Sequence, residues 1–367
     1  MKNYSNKILN SLLGVAMGDA LGAPVEGLSR DKILTLTNGA GINGFVDFNR
    51  FSRTKRIKDD PILEGVAHTT DDWQLTHAIL TSLIRRKKFD LTDIALSHVD
   101  AYVESTCGWG GTTRDSLAEI DEYFSSSGVA GRSPYDCPSP EFKKGLGNGV
   151  AMKIAPVALF TSLEFLFGKS PNRIQSLDHN SGFELPNLRD RVVQIGKMTH
   201  SDPRAWAAAY AVSLIISRLM LFPSINLRLL PHSVSLLNLL IDKTQQLEKD
   251  CGVELNEESF SSSLSKLTSS QLLFGNIEDL IKEVGVSCLS TKSVVFAIAV
   301  FLRRPYNFEK ALLEAVNAGG DTDTIAAIVG SMVGATGNSP PTDWLMLSSE
   351  FSTFIPALTR DFESIFL

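Results

Sequence analysis

Two acidic motifs, far apart in the chain, carry residue types that could do chemistry. They are Thr70-Asp71-Asp72, in HTTDDWQLTHAIL, and Asp321-Thr322-Asp323-Thr324, in NAGGDTDTIAAIVGSMVGA. Each precedes an apolar stretch with helical spacing, so each falls at an expected helix N-terminus. A local role accounts for either motif alone, because Asp and Thr accept hydrogen bonds from free N–H groups and complement the helix dipole. One capping residue suffices for that, yet both motifs stack hydroxyls and carboxylates together. The Gly319-Gly320 pair before Asp321 permits an unusual backbone and brings a ligand close at Gly320. Brought together, the motifs offer four carboxylates beside threonine hydroxyls. An all-oxygen set suits Mg²⁺ or Mn²⁺ rather than zinc, and four negative charges balance two dications. Without metal, carboxylates so crowded repel one another and some acquire raised pKa values.

The elements that must position these groups read as helices. Ser5 is expected to cap a first helix that buries Ile8, Leu9, Leu12, Leu13 and Ala16. On it Gly14, Gly18 and Gly22 recur every four residues and form one smooth stripe for a neighbour's backbone. Each Gly lowers helix stability by about 1 kcal/mol, so three at this spacing indicate a packing or functional demand. A second helix is predicted over 71–86, with RRKK at 85–88 supplying positive charge at its C-terminus. Further helices are predicted near 91–105, 112–124, 187–199, 203–220, 231–248, 291–303, 308–317 and 323–335, with few or no strands. Residues 41–66 and 125–147 read as long loops that could act as lids, and the Ser-rich 259–270 as a helix-cap and linker region. No repeat or composition shift divides the chain, so a single all-α domain over 1–367 is expected.

Composition narrows the function. Of the 367 residues, 43% are hydrophobic and 21% charged, ordinary globular proportions that allow a sizeable core. A net charge of −6 disfavours sequence-independent nucleic-acid binding. Cys107, Cys137, Cys251 and Cys288 form no C-x-x-C pair and read as isolated thiols in a reducing cytoplasm. Lys2 and Lys7 before the apolar Ile8–Met17 stretch mimic a signal peptide, but Asn10, Ser11, Gly14, Gly18 and Asp19 interrupt it. The segment is read as a retained first helix. No uninterrupted apolar run approaches the roughly 18 residues that span a membrane, so a cytoplasmic protein without membrane partners is expected.

GVAMGDALGAPVEG at 14–27, TTDDWQLTHAIL at 69–80, GNGVAMKIAPVAL at 147–159, MTHSDPRAW at 198–206 and NAGGDTDTIAAIVGSMVGA at 317–335 resemble, in order, the blocks of the ADP-ribosylglycohydrolase family. The resemblance implies a compact all-α domain with a binuclear Mg²⁺ or Mn²⁺ centre. It implies Thr70, Asp71 and Asp72 as one ligand group and Asp321, Asp323 and Thr324 as the other. Glu26 falls on a glutamate beside the metals that engages water. Gly108, Trp109, Gly110 and Gly111 resemble a glycine-rich loop that approaches ribose and diphosphate. Gly147, Asn148 and Gly149 resemble the loop that holds the diphosphate, Met152 follows on the same wall, and His200 resembles a histidine that contacts ADP-ribose. Three departures stand out: Trp73 where Thr often follows the paired aspartates, Lys153 where Arg often follows Ala-Met, and Leu146 where serine-specific relatives carry an aromatic residue.

The reaction so implied is hydrolysis at the anomeric carbon of the distal ribose, through an oxocarbenium-like transition state. Glu26, Asp71 or Asp72 would take or relay a proton. ADP-ribosylated protein is the implied substrate and ADP-ribose the product, with the arginine linkage favoured. Serine-linked, nucleic-acid-linked or small-molecule conjugates, and a non-catalytic crystallin-like binder, are the alternatives. The basic loop of Arg50, Arg53, Lys55, Arg56 and Lys58 offers a surface for an acidic target protein or is simply solvated.

Overall fold

The N-terminal helix, Lys2–Gly22, lies antiparallel against Thr322–Ala335, and the two backbones nearly touch. A Cβ on Gly14 would fall 2.1 Å from the Gly330 carbonyl oxygen, one on Gly18 2.2 Å from that of Ala326, and one on Gly22 2.4 Å from the Asp323 nitrogen. Gly330 and Gly334 return the approach against Gly14 and Asn10. The glycine stripe therefore meets the helix that carries the second acidic motif. This seam sets Asp19 beside Asp323.

The computed structural model describes residues 2–47, 50, 66–104, 108–127, 145–168, 184–222 and 226–366. Among them there are no strands, only isolated bridges pairing Ser29 with Gly319 and Gly147 with Leu289. Every residue of Thr322–Ala335 is buried, and so is nearly all of Pro203–Leu221. These two read as apolar all round because they pass through the core. Asp71–Arg86, Leu188–Thr199 and Leu230–Asp250 instead bury one face each. Tyr4–Val25 and Pro203–Leu221 do reach membrane-spanning length by mean hydropathy, which a count of uninterrupted apolar runs misses. They are 94% and 89% buried within the protein, as core helices are.

The predicted helix over 71–86 matches Asp71–Arg86, and the other predicted helices fall within a few residues of Leu91–Glu104, Gly111–Ser127, Leu188–Thr199, Pro203–Leu221, Leu230–Asp250, Ser290–Arg303, Phe308–Val316 and Thr322–Ala335. Ser5 does not cap the first helix, which begins at Lys2 and runs through it. The Ser-rich segment does supply caps, with Ser259 accepting from the Ser262 N–H and Ser269 from that of Leu272, but it is no linker: Phe260–Ser265 is α-helical and Lys266–Thr268 a 3-10 turn. The expected loop at 125 starts later, because the helix continues to Ser127. Residues 51–65 and 128–144, the bulk of the two expected lids, lie outside the described residues, as do Arg53, Lys55, Arg56, Lys58, Cys107 and Cys137.

The seam makes a direct prediction. In an open helix, Gly18→Ala would add about 1 kcal/mol of helix propensity. Here the new methyl meets backbone on Ala326 and Ala327, and overpacking of this kind costs about 1–3 kcal/mol. Gly18→Ala is expected to lower the midpoint of urea unfolding. An unchanged or raised midpoint would contradict the packing described.

Candidate metal centre

Asp19 joins the first acidic motif to the glycine seam. Its Oδ1 accepts from Thr70 Oγ1 at 2.7 Å, and its Oδ2 accepts from the backbone N–H of Thr70 at 2.8 Å and of Trp73 at 3.0 Å. These are free donors at the start of Asp71–Arg86, and Thr70 makes no side-chain cap of its own. The cap thus comes from another helix. It leaves Asp71 and Asp72 to face inward, 7% and 1% exposed. From the opposite side, Thr324 Oγ1 donates to Asp72 Oδ2 at 3.3 Å, and Asn148 Nδ2 donates to Asp321 Oδ2 at 2.6 Å and to Ser293 Oγ at 3.0 Å. The two motifs, some 250 residues apart in sequence, meet.

Two carboxylate groups result. One oxygen from each of Asp19, Asp72 and Asp323 lies within 4.8 Å of the others, and the same holds for Glu26, Asp321 and Asp323. Asp323 is common to both. Burial, and then the charges of neighbouring carboxylates, push Asp71, Asp72 and Asp323 well above the usual carboxylate range. Burial raises Asp321 too, against hydrogen bonds from Asn148, Asp323 and Thr324. Asp19 is pushed up to about 7, by burial first. Glu26 also reaches about 7, through desolvation of its carboxyl and then the Asp321 charge, although its surface remains exposed at the rim. Asp72 Oδ1 is buried with no hydrogen-bond donor among the described residues. An orphaned carboxylate oxygen inside a crowd of acids suits a cation. The donors present are carboxylates and hydroxyls, the chemistry of hard divalent ions.

Gly108, with φ +79°, packs against this centre: a Cβ there would sit 2.9 Å from Thr70 Cβ and 3.2 Å from Asp71 Oδ1. Gly110 and Gly111 are exposed with open space around them. Trp109 is buried, and its Nε1 donates to Gln74 Oε1 at 2.7 Å, tying the glycine loop to the Asp71 helix. Gly145, Gly147 and Gly149 cross the edge of the His200 ring, where a Cβ at Gly149 would fall 2.9 Å from Cε1. Met152 is buried behind that wall, its N–H donating to the Asn148 carbonyl. Gly320, with φ +78°, accepts from Gly27 N and donates to the Leu28 carbonyl, which brings the chain leading to Glu26 beside Asp321. A cavity of about 670 Å³, lined by residues that include Gly27, Arg30, Lys282, Val286 and Gly320, adjoins that rim.

Sequence reasoning missed Asp19 as a site residue. One signal was available: an acid within a glycine stripe of an apolar helix is costly to bury unless it is used. Trp73, one of the departures from the family pattern, points away from the carboxylates. Its indole Nε1 donates to Glu350 Oε1 at 2.5 Å, its ring stacks on His77, and Glu350 opens a π-helical turn, Glu350–Phe354.

The family model for ADP-ribosylglycohydrolase matches residues 1–363. The chain belongs to the ADP-ribosylglycohydrolase family and is an ADP-ribosyl glycohydrolase, a hydrolase acting on ADP-ribosylated substrates with ADP-ribose as product. Similar proteins include one from Archaeoglobus fulgidus, 26% identical over 346 residues that cover 92% of this chain and 90% of that one. The ADP-ribosylhydrolase ARH3 of Mus musculus is 24% identical over 354 residues, covering 88% of this chain and 82% of the mouse protein. A solved structure described as an ADP-ribosylglycohydrolase-related protein complex superposes with a TM-score of 0.63 at 21% identity over the whole of both chains, and so shares the fold.

Proposed function

We propose that the chain, acting as one domain, removes ADP-ribose from arginine side chains of protein, using two Mg²⁺ or Mn²⁺ ions. The observation that carries this reading is the double membership of Asp323 in two carboxylate groups, next to the orphaned oxygen of Asp72. Thr70, Asp71, Asp72, Asp321, Asp323 and Thr324 would hold the ions. Bound dications would orient the ribose hydroxyls and make a water more acidic.

The chain's own groups supply the rest. Glu26, at the rim with a carboxylate oxygen beside those of Asp321 and Asp323, takes or relays a proton from the attacking water. Asn148 steadies Asp321 through its amide. The glycines at 108, 110, 111, 147 and 149 leave room for the diphosphate, and His200 closes that wall. The free thiols Cys251 and Cys288 accord with a reducing cytoplasm.

The test is release of ADP-ribose from arginine-ADP-ribosylated and serine-ADP-ribosylated protein with Mg²⁺, Mn²⁺ or chelator. Metal-dependent release from the arginine conjugate alone is expected. Release from serine alone would reassign the linkage. Binding of ADP-ribose without turnover of either would replace the hydrolase with a binder.

A further inference from the structure

Lys153 is wholly enclosed, with no exposed surface. Its Nζ donates to Thr199 Oγ1 across 3.5 Å, and that same hydroxyl lies 2.9 Å from His200 Nδ1. Thr199 and His200 are themselves buried and held firmly. Ser116 Oγ donates to the Thr199 carbonyl at 3.1 Å, and Trp206 Nε1 donates to the His200 carbonyl at 2.7 Å. The far edge of the His200 ring, with Nε2, lies against Gly147 and Gly149.

An imidazole's tautomer follows from what its bonded nitrogen faces. His98 shows the simple case: its Nδ1 faces the Ile94 carbonyl at 2.8 Å, which can only accept, so Nδ1 carries the proton. His200 faces a hydroxyl, which can donate or accept, and the pair alone leaves the tautomer open. Burial lowers the Lys153 pKa to about 7, against the Asp71 charge, which raises it; below that pH Nζ is an ammonium, which only donates. Its charge, in an enclosed site of low dielectric, turns the Thr199 oxygen lone pairs toward Nζ even at 3.5 Å. The hydroxyl proton is then directed at His200 Nδ1, and the ring proton is left on Nε2. Burial and the Lys153 charge both keep the ring neutral, with its pKa down at about 3.

We propose that Lys153 is a positioning residue that fixes His200, through Thr199, as the tautomer whose Nε2–H points at the wall formed by Gly147 and Gly149. His200 thereby presents a hydrogen-bond donor to an oxygen of ADP-ribose. This use of the donor rests on the function proposed above; the tautomer does not.

The test is ¹⁵N NMR of the imidazole nitrogens in the free protein at about pH 6, where Lys153 is charged and His200 neutral, with His200 assigned by its loss in His200→Asn. Wild type is expected to show His200 protonated at Nε2. Lys153→Met, which keeps length and bulk, is expected to shift the proton wholly or partly to Nδ1. Lys153→Arg, also donor-only, restores Nε2–H. Thr199→Val breaks the relay with Lys153 in place, and serves should Lys153→Met fold poorly. Loss of one donor to the ligand is expected to weaken ADP-ribose binding about tenfold in Lys153→Met and not in Lys153→Arg. Wild-type His200 protonated at Nδ1, or an unchanged Nε2–H in both Lys153→Met and Thr199→Val, would overturn the proposal. Because the NMR readout needs no turnover, failure of the hydrolase reading would leave it intact, and the reverse also holds.

Discussion

Asp323→Asn is expected to lower kcat/KM for ADP-ribose release by more than about 10²-fold, since groups one step outside a metal's ligands already cost about 10–100-fold. The same substitution is expected to raise the thermal stability of the metal-free protein. Asp323 stands in both carboxylate groups, and burial together with Glu26, Asp321, Asp72 and Asp19 pushes it far above the ordinary carboxylate range. A carboxyl whose pKa is raised on folding contributes fully to stability below its unfolded pKa of about 4, and that contribution is lost as pH rises through the folded value. For Asp19 and Glu26 that value is about 7. Thermal melts of the metal-free wild type should therefore fall in midpoint between roughly pH 4 and 8. Saturating Mn²⁺ should reverse the fall. Asp323→Asn should show a shallower decline and no response to Mn²⁺. A metal-free variant less stable than wild type at pH 8 would contradict the crowding.

Asp19→Ala is expected to destabilise the fold and weaken metal binding, although on the reading given above Asp19 is not a primary ligand. Truncation strands the Thr70 and Trp73 N–H groups and the Thr70 hydroxyl. Each buried unpaired donor costs about 1–3 kcal/mol. Relief of repulsion within the carboxylate cluster offsets part of this. A net loss on the order of 2–4 kcal/mol in urea unfolding is expected, with Asp19→Asn intermediate because its amide keeps one accepting oxygen. Both variants should bind Mn²⁺ weakly in calorimetry, since the start of the Asp71 helix loses the cap that aims Asp71 and Asp72. Wild-type Mn²⁺ affinity in Asp19→Ala would show that the helix start holds itself.

Much of this was legible in the residues. The helices at 71–86, 203–220 and 323–335 follow from apolar spacing and from polar caps at their starts, which act over one or two turns. The two acidic motifs announced oxygen-ligand chemistry because they carry more hydroxyls and carboxylates than a cap needs. Gly14, Gly18 and Gly22 announced a close neighbour without naming it. What stayed hidden depends on partners distant in sequence. Asp19 looked like an interruption of an apolar helix, and its three donors sit more than fifty residues away. Lys153 looked like a departure from the family's Arg with no visible consequence, and its surroundings, Thr199 and the His200 ring, come from another helix and its end. Trp73 looked like a change within the ligand motif and instead faces Glu350, near the C-terminus. Local propensity and periodicity are written in neighbouring residues, so the sequence by itself determined an all-helical chain bearing two acid-rich helix starts. Which carboxylates share a cation, and which buried groups orient them, depends on contacts between helices distant in the chain, and only the packing of the tertiary structure decided those.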